Sequence, residues 1–294
     1  MNKALYSMVK FRKYHGLGND FIVIDGLLED INDLNLPKQA VIRNICDRHF
    51  GIGADGLILL LPPIDNNKIR MKIFNSDGTE AEMCGNGVRC LVKFLLDGKM
   101  INLNESIRIE TLSGIVVATT MKDSSISVDM GLPSFQPSKI PTTLKTNSKG
   151  VPEGKIIIDQ KELNVFAVGM GNPHMIIYIE DINEITLNNW GKVLEIDPSF
   201  PNKTNVHFVK IISNDCLEVH VWERGCGPTL ACGTGACATL VVTHMLGLCG
   251  SSSKVNLPGG QLLISWPKPE SSVFMQGPSQ LVYSGQFKVS DFSE

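Results

Sequence analysis

Short runs of continuous or alternating apolar residues recur along the whole chain and predict a structure made mainly of strands. The runs are rich in Val, Ile, Phe and Thr, the residues that favour strands. The predicted strands are Phe21–Ile24, Leu57–Leu61, Met71–Phe74, Ile107–Thr111, Ile115–Thr120, Ile126–Met130, Lys155–Ile158, Asn164–Val168, Met175–Ile179, Asn205–Ile212, Leu217–Trp222, Gln261–Trp266 and Leu281–Val289.

Three segments have the spacing of a helix instead: Lys38–His49, Gly87–Leu96 and Gly235–Leu248. The last of these is apolar nearly all round, so we expect it to be buried on every side. The pattern therefore predicts an α/β (α+β) fold in which a mixed β-sheet or barrel wraps around a central apolar helix.

The segment Leu132–Pro152 is rich in Pro, Ser, Thr and Lys, has no apolar period and lies close to the midpoint of the chain. We interpret it as a linker or long connection between two β-rich halves. A chain of 294 residues, 43% of them hydrophobic, is also long enough for two domains. We predict one domain at 1–130 plus 279–294, since the last strand is expected to return to it, and a second at 131–278.

Charge and hydropathy exclude several classes of protein. The 30 acidic and 27 basic side chains give a net charge of −3, and the basic residues are scattered, so we expect no nucleic-acid partner. No apolar run approaches the roughly 18–20 residues that span a bilayer, so we expect no membrane partner either. The first residues lack the apolar stretch of a secretory signal, which predicts a cytoplasmic protein.

Eight cysteines are present, too few for a disulfide scaffold, and none form a C-x-x-C pair. We therefore expect reduced thiols and no metal site. Most of the eight should be small buried hydrophobic residues, the commonest role of a free cysteine.

Two of the cysteines belong to an internal repeat. Cys84-Gly85-Asn86-Gly87 and Cys232-Gly233-Thr234-Gly235 each open a predicted helix, and the two cysteines are 148 residues apart in a chain whose half-length is 147. A lone motif of this kind would be weak evidence for function. One copy in each half predicts a duplicated domain with pseudo-twofold symmetry.

The position of these cysteines favours a particular chemistry. A helix N-terminus lowers the pKa of a thiol, and its unpaired N–H groups can hold a carboxylate. Two such helix ends, facing each other across an interdomain cleft, would place a sulfur on each side of the carbon that bears the carboxylate. That arrangement suits racemisation or epimerisation by two bases, with the developing negative charge held by the helix ends.

The sequence resembles the diaminopimelate epimerases over nearly its whole length. The motifs that carry the resemblance, besides the two cysteine motifs, are His15-Gly16-Leu17-Gly18-Asn19-Asp20-Phe21, Gly51-Ile52-Gly53-Ala54-Asp55-Gly56, Phe74-Asn75-Ser76-Asp77-Gly78, Gly171-Asn172-Pro173-His174, Thr204-Asn205-Val206 and Trp222-Glu223-Arg224-Gly225.

The resemblance implies that LL-diaminopimelate is interconverted with the meso form in the synthesis of lysine and of peptidoglycan precursors, with no cofactor. It implies that Cys84 and Cys232 are the base and acid, and that amides of Gly85, Asn86, Gly233 and Thr234 hold the reacting carboxylate. The substrate's distal end would be bound by Asn19, Asn75, Asn172, Asn205, Glu223 and Arg224. A small-molecule substrate and a homodimer are the partners that it implies.

The sequence does not assign a single role to three positions, Gly56, Glu223 and His174. Some family members carry Gln where this chain has Gly56, so we do not assign Gly56 a contact. Glu223 is either an ordinary strand-end charge or the partner of a ligand ammonium, and Arg224 beside it suits a carboxylate. His174 is equally compatible with a functional contact and with ordinary turn packing.

Other functions fit the sequence less well. Gly51-x-Gly53-x-x-Gly56 matches the dinucleotide fingerprint, but a helix precedes it and a strand follows, which is the reverse of the required order. A cofactor-independent racemase of the proline racemase type is the main enzymatic competitor, although those enzymes usually have His where this chain has Asn86. A binding protein that lost the chemistry is the other, but such a protein would be expected to lose one cysteine.

Overall fold

The computed structural model describes residues 8–29, 36, 38–65, 69–181 and 186–292. Contacts within the chain divide it into two compact units, Met1–Val128 together with Gly277–Glu294, and Asp129–Gln276.

The strands in chain order are β1 (Met8–Gly16), β2 (Asn19–Asp25), β3 (Gly56–Leu61), β4 (Ile69–Asn75), β5 (Glu80–Ala81), β6 (Ser106–Thr111), β7 (Gly114–Thr120), β8 (Ile126–Asp129), β9 (Lys145–Thr146), β10 (Pro152–Ile158), β11 (Lys161–Gly169), β12 (Pro173–Tyr178), β13 (Asn205–Ser213), β14 (Cys216–Glu223), β15 (Gly227–Thr229), β16 (Ser252–Leu257), β17 (Gly260–Ser265), β18 (Phe274–Gly277) and β19 (Gln280–Lys288). The helices are α1 (Gln39–Cys46), α2 (Gly85–Asp97), α3 (Leu187–Glu195) and α4 (Gly233–Met245), and a 3₁₀ turn covers Val289–Phe292.

In the first unit, β2 pairs antiparallel with β1 and parallel with β3, and β4 pairs antiparallel with β3 and parallel with β6. The last strand, β19, pairs with β1. Helix α2 contacts β1, β2, β3, β7 and β19, so the strands surround it on several sides.

The second unit repeats this order. β12 pairs antiparallel with β11 and parallel with β13, and β14 pairs antiparallel with β13 and parallel with β16. Helix α4 contacts β11, β12, β13, β14, β16 and β17. The predicted duplication of an α/β domain with a central apolar helix is therefore confirmed.

Helix α3 was not predicted by the sequence pattern, although it is the counterpart of α1. Trp190 and Leu194 of α3 are buried in the core of the second unit, as Ile42 and Ile45 of α1 are in the first. Two asparagines and Gly191, all poor helix formers, interrupt the pattern of α3, so its apolar face becomes evident only when it packs on the sheet.

The interpretation of Leu132–Pro152 as a linker is wrong. The segment lies within the second unit, where Ile140 is fully buried in the core and the backbone of Ser134 exchanges two hydrogen bonds with Gly169. The segment contains many prolines and polar residues and few apolar residues such as Ile140. Its composition is therefore that of a linker, although it packs against the core.

Candidate functional site

The first cysteine of the repeat caps α2. Cys84 has extended backbone angles (φ −142°, ψ 115°) and is half-buried, and its carbonyl accepts the first helical hydrogen bond from the Val88 N–H at 2.9 Å. The N–H groups of the first turn therefore have no acceptor within the helix and carry partial positive charge. A Cβ on Gly87 would lie 2.8 Å from Ile73 Cδ1, so the start of the helix packs closely against β4.

A chain of hydrogen bonds links this helix start to the start of β2. Asn86 Nδ2 donates to Asn19 Oδ1 at 3.1 Å, and the Cys84 thiol lies 3.8 Å from the same oxygen. Asn19 Nδ2 in turn donates to Asp55 Oδ2 at 2.9 Å. The structure thus brings together three of the residues that the sequence singled out, Cys84, Asn86 and Asn19.

The fully buried Arg89 fixes the direction of that chain. Its Nη2 donates to Asn86 Oδ1 at 2.9 Å and its Nε donates to the Pro278 carbonyl at 3.3 Å. A Cβ on Gly16 would lie 2.9 Å from the Arg89 guanidinium, so Gly16 leaves room for that group. Arg89 lies two residues after the first cysteine motif, and the sequence gave it no role because its second partner, Pro278, is distant in the chain.

Asn75 lies at the same edge of the first sheet. Because β2 and β3 run parallel and β4 antiparallel to them, the starts of β2 and β3 and the end of β4 meet at one edge. Asn75 is exposed there, and its Nδ2 donates to Thr79 Oγ1 at 3.0 Å. Gly56 is its partner in the register, and a Cβ on Gly56 would lie 2.3 Å from the Phe74 carbonyl oxygen. This backbone has no room for a side chain at Gly56.

An ionic cluster of Lys13, Asp20, Arg48 and Asp55 lies at this edge of the sheet. The Asp20 carboxylate, largely buried, lies 2.8 Å from Lys13 Nζ and 2.7 Å from Arg48 Nη2, and Arg48 also bonds Asp55 at 2.7 Å. Burial by itself would raise the pKa of Asp20, but the hydrogen bonds from Arg48 and Lys13 outweigh it and lower the pKa to about 2.

We expect Asp20→Asn to reduce the free energy of unfolding at pH 7 by on the order of 2 kcal/mol. The folded-state pKa of about 2 lies below the unfolded value of about 3.9, so this stability is present above about pH 4 and is lost as the pH falls toward 2. Urea unfolding of wild type and variant between pH 3 and pH 7 measures the effect. Exposed Asp65 provides the control Asp65→Asn, and equal pH slopes for wild type and Asp20→Asn would contradict the expectation.

The second cysteine occupies the equivalent position in the other unit. Cys232 caps α4 with extended angles (φ −117°, ψ 110°), and its sulfur accepts a hydrogen bond from the Gly235 N–H at 3.3 Å. Thr234 Oγ1 lies 3.5 Å from the same sulfur, and Cys232 is 5% exposed. A hydrogen bond donated to the sulfur favours its thiolate form, as does the helix end.

Asn205 and the Glu223-Arg224 turn meet at the matching edge of the sheet in the second unit. Asn205 Oδ1 accepts from the Arg224 N–H at 3.0 Å, and Asn205 Nδ2 donates to the Pro173 carbonyl at 2.9 Å. Glu223 is half-buried and accepts a hydrogen bond from Thr229, whereas Arg224 is exposed and donates from Nη1 to the Asn202 carbonyl at 3.1 Å. The edge therefore presents a carboxylate beside a guanidinium.

Glu195 of α3 holds that turn in place. One of its oxygens accepts from Trp222 Nε1 at 2.7 Å and the other from the Gly225 N–H at 3.1 Å. A Cβ on Gly191 would lie 2.4 Å from the Trp222 ring, so α3 packs closely against it. Sequence reasoning missed Glu195, since no signal in the chain connects it to a turn 30 residues away.

Asn172 is joined to two buried histidines. His174 Nε2 lies 2.7 Å from Asn172 Oδ1, and His174 Nδ1 lies 2.8 Å from His207 Nε2. Burial lowers the pKa of both rings, that of His207 to about 3 and that of His174 well below its usual value, with His207 and Arg224 acting in the same direction on His174. Both imidazoles are neutral at physiological pH.

Among the described residues, no group of three or more His, Cys, Asp or Glu side chains is placed to hold a metal ion. Within that same part of the chain, no helix combines the length and apolar character needed to cross a membrane.

Solved structures with the same fold come from several kinds of enzyme. A hydroxyproline epimerase from Agrobacterium vitis aligns with a TM-score of 0.66 at 18% identity, over 96% of this chain and 92% of its own. A PhzF-family phenazine biosynthesis protein from Bacillus anthracis aligns with a TM-score of 0.64 at 14% identity, over 96% and 99%. At these identities the likeness concerns the fold alone.

The sequence comparisons are more specific. The family model for diaminopimelate epimerase matches residues 11–136 and 166–282. Diaminopimelate epimerase of Prochlorococcus marinus (strain MIT 9313) is 53% identical over 95% of this chain and 92% of its own. The one of Nostoc punctiforme is 46% identical over 95% and 99%. The chain belongs to the diaminopimelate epimerase family, as the sequence motifs predicted.

Proposed function

We propose that this protein epimerises LL-2,6-diaminopimelate to meso-diaminopimelate, in the synthesis of lysine and of peptidoglycan precursors, without a cofactor. One observation carries the proposal beyond family membership. In each of two units with the same topology, a cysteine caps the N-terminus of the central helix, and both cysteines are retained.

In the proposed reaction Cys84 and Cys232 act on opposite faces of one α-carbon. One sulfur, as thiolate, removes the α-proton, and the other, as thiol, delivers a proton to the opposite face. The configuration at that carbon is inverted, and each turnover leaves the two sulfurs with exchanged protonation states. The roles are therefore reversed when the opposite isomer reacts.

The reacting carboxylate takes up charge as the proton leaves. Backbone N–H groups at Gly85, Asn86, Gly233 and Thr234 belong to the first turns of the two helices, where the helix dipole favours an anion. Donors fixed in position before the reaction stabilise the developing charge without reorganising. This stabilisation allows a weak base such as a thiolate to act on a carbon acid.

The distal amino-acid centre needs partners for one ammonium and one carboxylate. Glu223 supplies a carboxylate for the ammonium, and the Arg224 guanidinium supplies donors for the carboxylate. The amides of Asn19, Asn75, Asn172 and Asn205 add donors and acceptors. Their positions at the matching strand ends of the two units, and the 3.8 Å between Asn19 Oδ1 and the Cys84 sulfur, support this assignment.

Two further features belong to the proposal. A homodimer is proposed from the resemblance to the family. A cytoplasmic location is proposed because the proposed thiol pair must stay reduced to work, and reducing conditions are those of the cytosol.

Exchange of the α-proton in heavy water tests the function. Purified protein, with LL-diaminopimelate in D₂O and no added cofactor, is expected to give meso-diaminopimelate with deuterium at the inverted carbon, followed by ¹H NMR and mass spectrometry. L-proline and trans-4-hydroxy-L-proline serve as control substrates and should show no exchange. Exchange of a proline substrate without exchange of diaminopimelate would assign the chain to the competing racemase activity.

A further inference from the structure

The hydrogen bonds between Asn172, His174 and His207 form a linear chain whose direction can be determined. Both rings are fully buried, and the chain ends at His207 Nδ1, a buried atom for which the described part of the structure offers no hydrogen-bond partner. A Cβ on Gly235 would lie 2.1 Å from His207 Cε1 and 2.8 Å from His207 Nδ1. The ring therefore lies directly against the first turn of α4, three residues after Cys232.

Two directions are available for the protons of two neutral rings. In the first, His207 Nε2–H donates to His174 Nδ1, and His174 Nε2–H donates to Asn172 Oδ1. In the second, every donor is reversed, and His207 would carry its proton on Nδ1. The second direction also requires the Asn172 amide to turn over, since an amide oxygen only accepts.

The surroundings of His207 Nδ1 select the first direction. Reversal would leave a buried N–H with no acceptor, which is rarer in proteins than an unused acceptor. It would also aim that N–H at the N-terminal turn of α4, whose own N–H groups already carry partial positive charge. A lone pair on Nδ1 suits that position, and a proton does not.

We propose that His207 is a positioning residue that fixes His174 as its Nε2–H tautomer and thereby turns the Asn172 amide so that its NH₂ group, not its oxygen, is offered to the ligand. The proposal rests on the proposed function for the identity of that ligand. The NH₂ group binds an acceptor, so Asn172 recognises a carboxylate of the substrate and rejects an ammonium at the same point. His207 touches neither substrate nor reacting atoms and acts only through its neighbours.

Histidine tautomers can be measured directly. Two-bond ¹H–¹⁵N correlation spectra of ¹⁵N-histidine-labelled protein at pH 7 to 8 are expected to show the Nε2–H form for both His174 and His207. His244 is an internal control of the opposite kind, because its Nδ1 lies 3.2 Å from the Cys249 carbonyl, which only accepts. An Nδ1–H form or an imidazolium at His174 would overturn the proposal, and this result does not depend on enzymatic activity.

Variants at His207 test the link to substrate binding. His207→Leu cannot donate and is expected to raise the KM for LL-diaminopimelate about tenfold, the size of one lost orienting hydrogen bond, with kcat changed less than threefold. It should also give a mixture of tautomers at His174. His207→Gln keeps an N–H donor and is expected to restore both the KM and the single tautomer.

Tyr178→Phe is the matched control. Its hydroxyl lies 2.9 Å from Thr243 Oγ1 and joins the same strand and helix, β12 and α4, away from Cys232. It should leave the KM and the His174 spectrum unchanged. If His207→Leu changed neither quantity, or if Tyr178→Phe raised the KM equally, His207 would have no positioning role. If neither wild type nor any variant turned over diaminopimelate but the tautomers were as expected, the proposed function would be wrong. The direction of the hydrogen bonds between His207, His174 and Asn172 would still be established.

Discussion

We expect Cys84→Ser and Cys232→Ser each to reduce the rate of epimerisation by about three orders of magnitude or more, the usual loss when a positioned proton-transfer group is removed. A serine hydroxyl is far less acidic than a thiol, so neither helix end can turn it into a resting base. Initial rates with LL-diaminopimelate and with the meso isomer, measured for each variant, give the effect in both directions.

Two other cysteines on the same helices are matched controls. Cys90 and Cys237 lie one turn or so further along α2 and α4 and are fully buried. Burial raises the pKa of Cys90 to about 12, so its thiol stays protonated and cannot serve as a base. Cys90→Ala and Cys237→Ala should keep activity within a few-fold of wild type. Near-normal epimerisation by either Cys84→Ser or Cys232→Ser would defeat the two-base assignment.

The single serine variants also separate the two half-reactions. Elimination of HX from an analogue with a good leaving group at the β-carbon requires removal of only one proton. We expect each variant to retain that elimination with the isomer whose α-proton faces its remaining cysteine. Loss of elimination together with epimerisation would indicate a damaged fold, which circular dichroism would detect.

Oxidation in air is expected to abolish activity completely and reversibly. The proposed reaction requires both sulfurs to approach the same carbon, so we expect a disulfide to be able to join them when no substrate is bound. In the proposed reaction one of the two is a thiolate, the form that reacts in thiol oxidation. A Cys84–Cys232 disulfide should form, and dithiothreitol should restore full activity.

Peptide mapping of the oxidised protein beside an activity assay measures this effect. Bound substrate should slow the loss, since it keeps the two sulfurs apart. Cys226 is exposed and is the thiol most open to unspecific oxidation, so Cys226→Ser is the control and should be inactivated as fast as wild type. Inactive protein in which Cys84 and Cys232 can both still be alkylated would contradict the proposed reaction.

The sequence by itself determined the features that depend on neighbouring residues. In each motif the cysteine is the residue before the helix, and small residues form the first turn. The start of a helix depends on residues that are neighbours in the sequence, so it can be inferred from a short motif. The structure starts α2 at Gly85 and α4 at Gly233, immediately after the two cysteines and two residues before the predicted starts at Gly87 and Gly235. The duplicated topology could likewise be inferred, since strand patterns and the cysteine spacing both recur once in each half.

Only the tertiary structure decided which distant polar groups meet. Glu195 and His207 carry no local signal, and each acts on predicted site residues through partners from elsewhere in the chain: Trp222 and Gly225 for Glu195, His174 for His207. Arg89 bonds Asn86 directly, and the packing of the unit brings it a second acceptor, the Pro278 carbonyl. A buried polar group must find a hydrogen-bond partner, but which partner depends on the packing of whole strands and helices. The orientation of the Asn172 amide depends on tertiary structure most of all, because it follows from every donor and acceptor in the hydrogen-bonded chain that contains it.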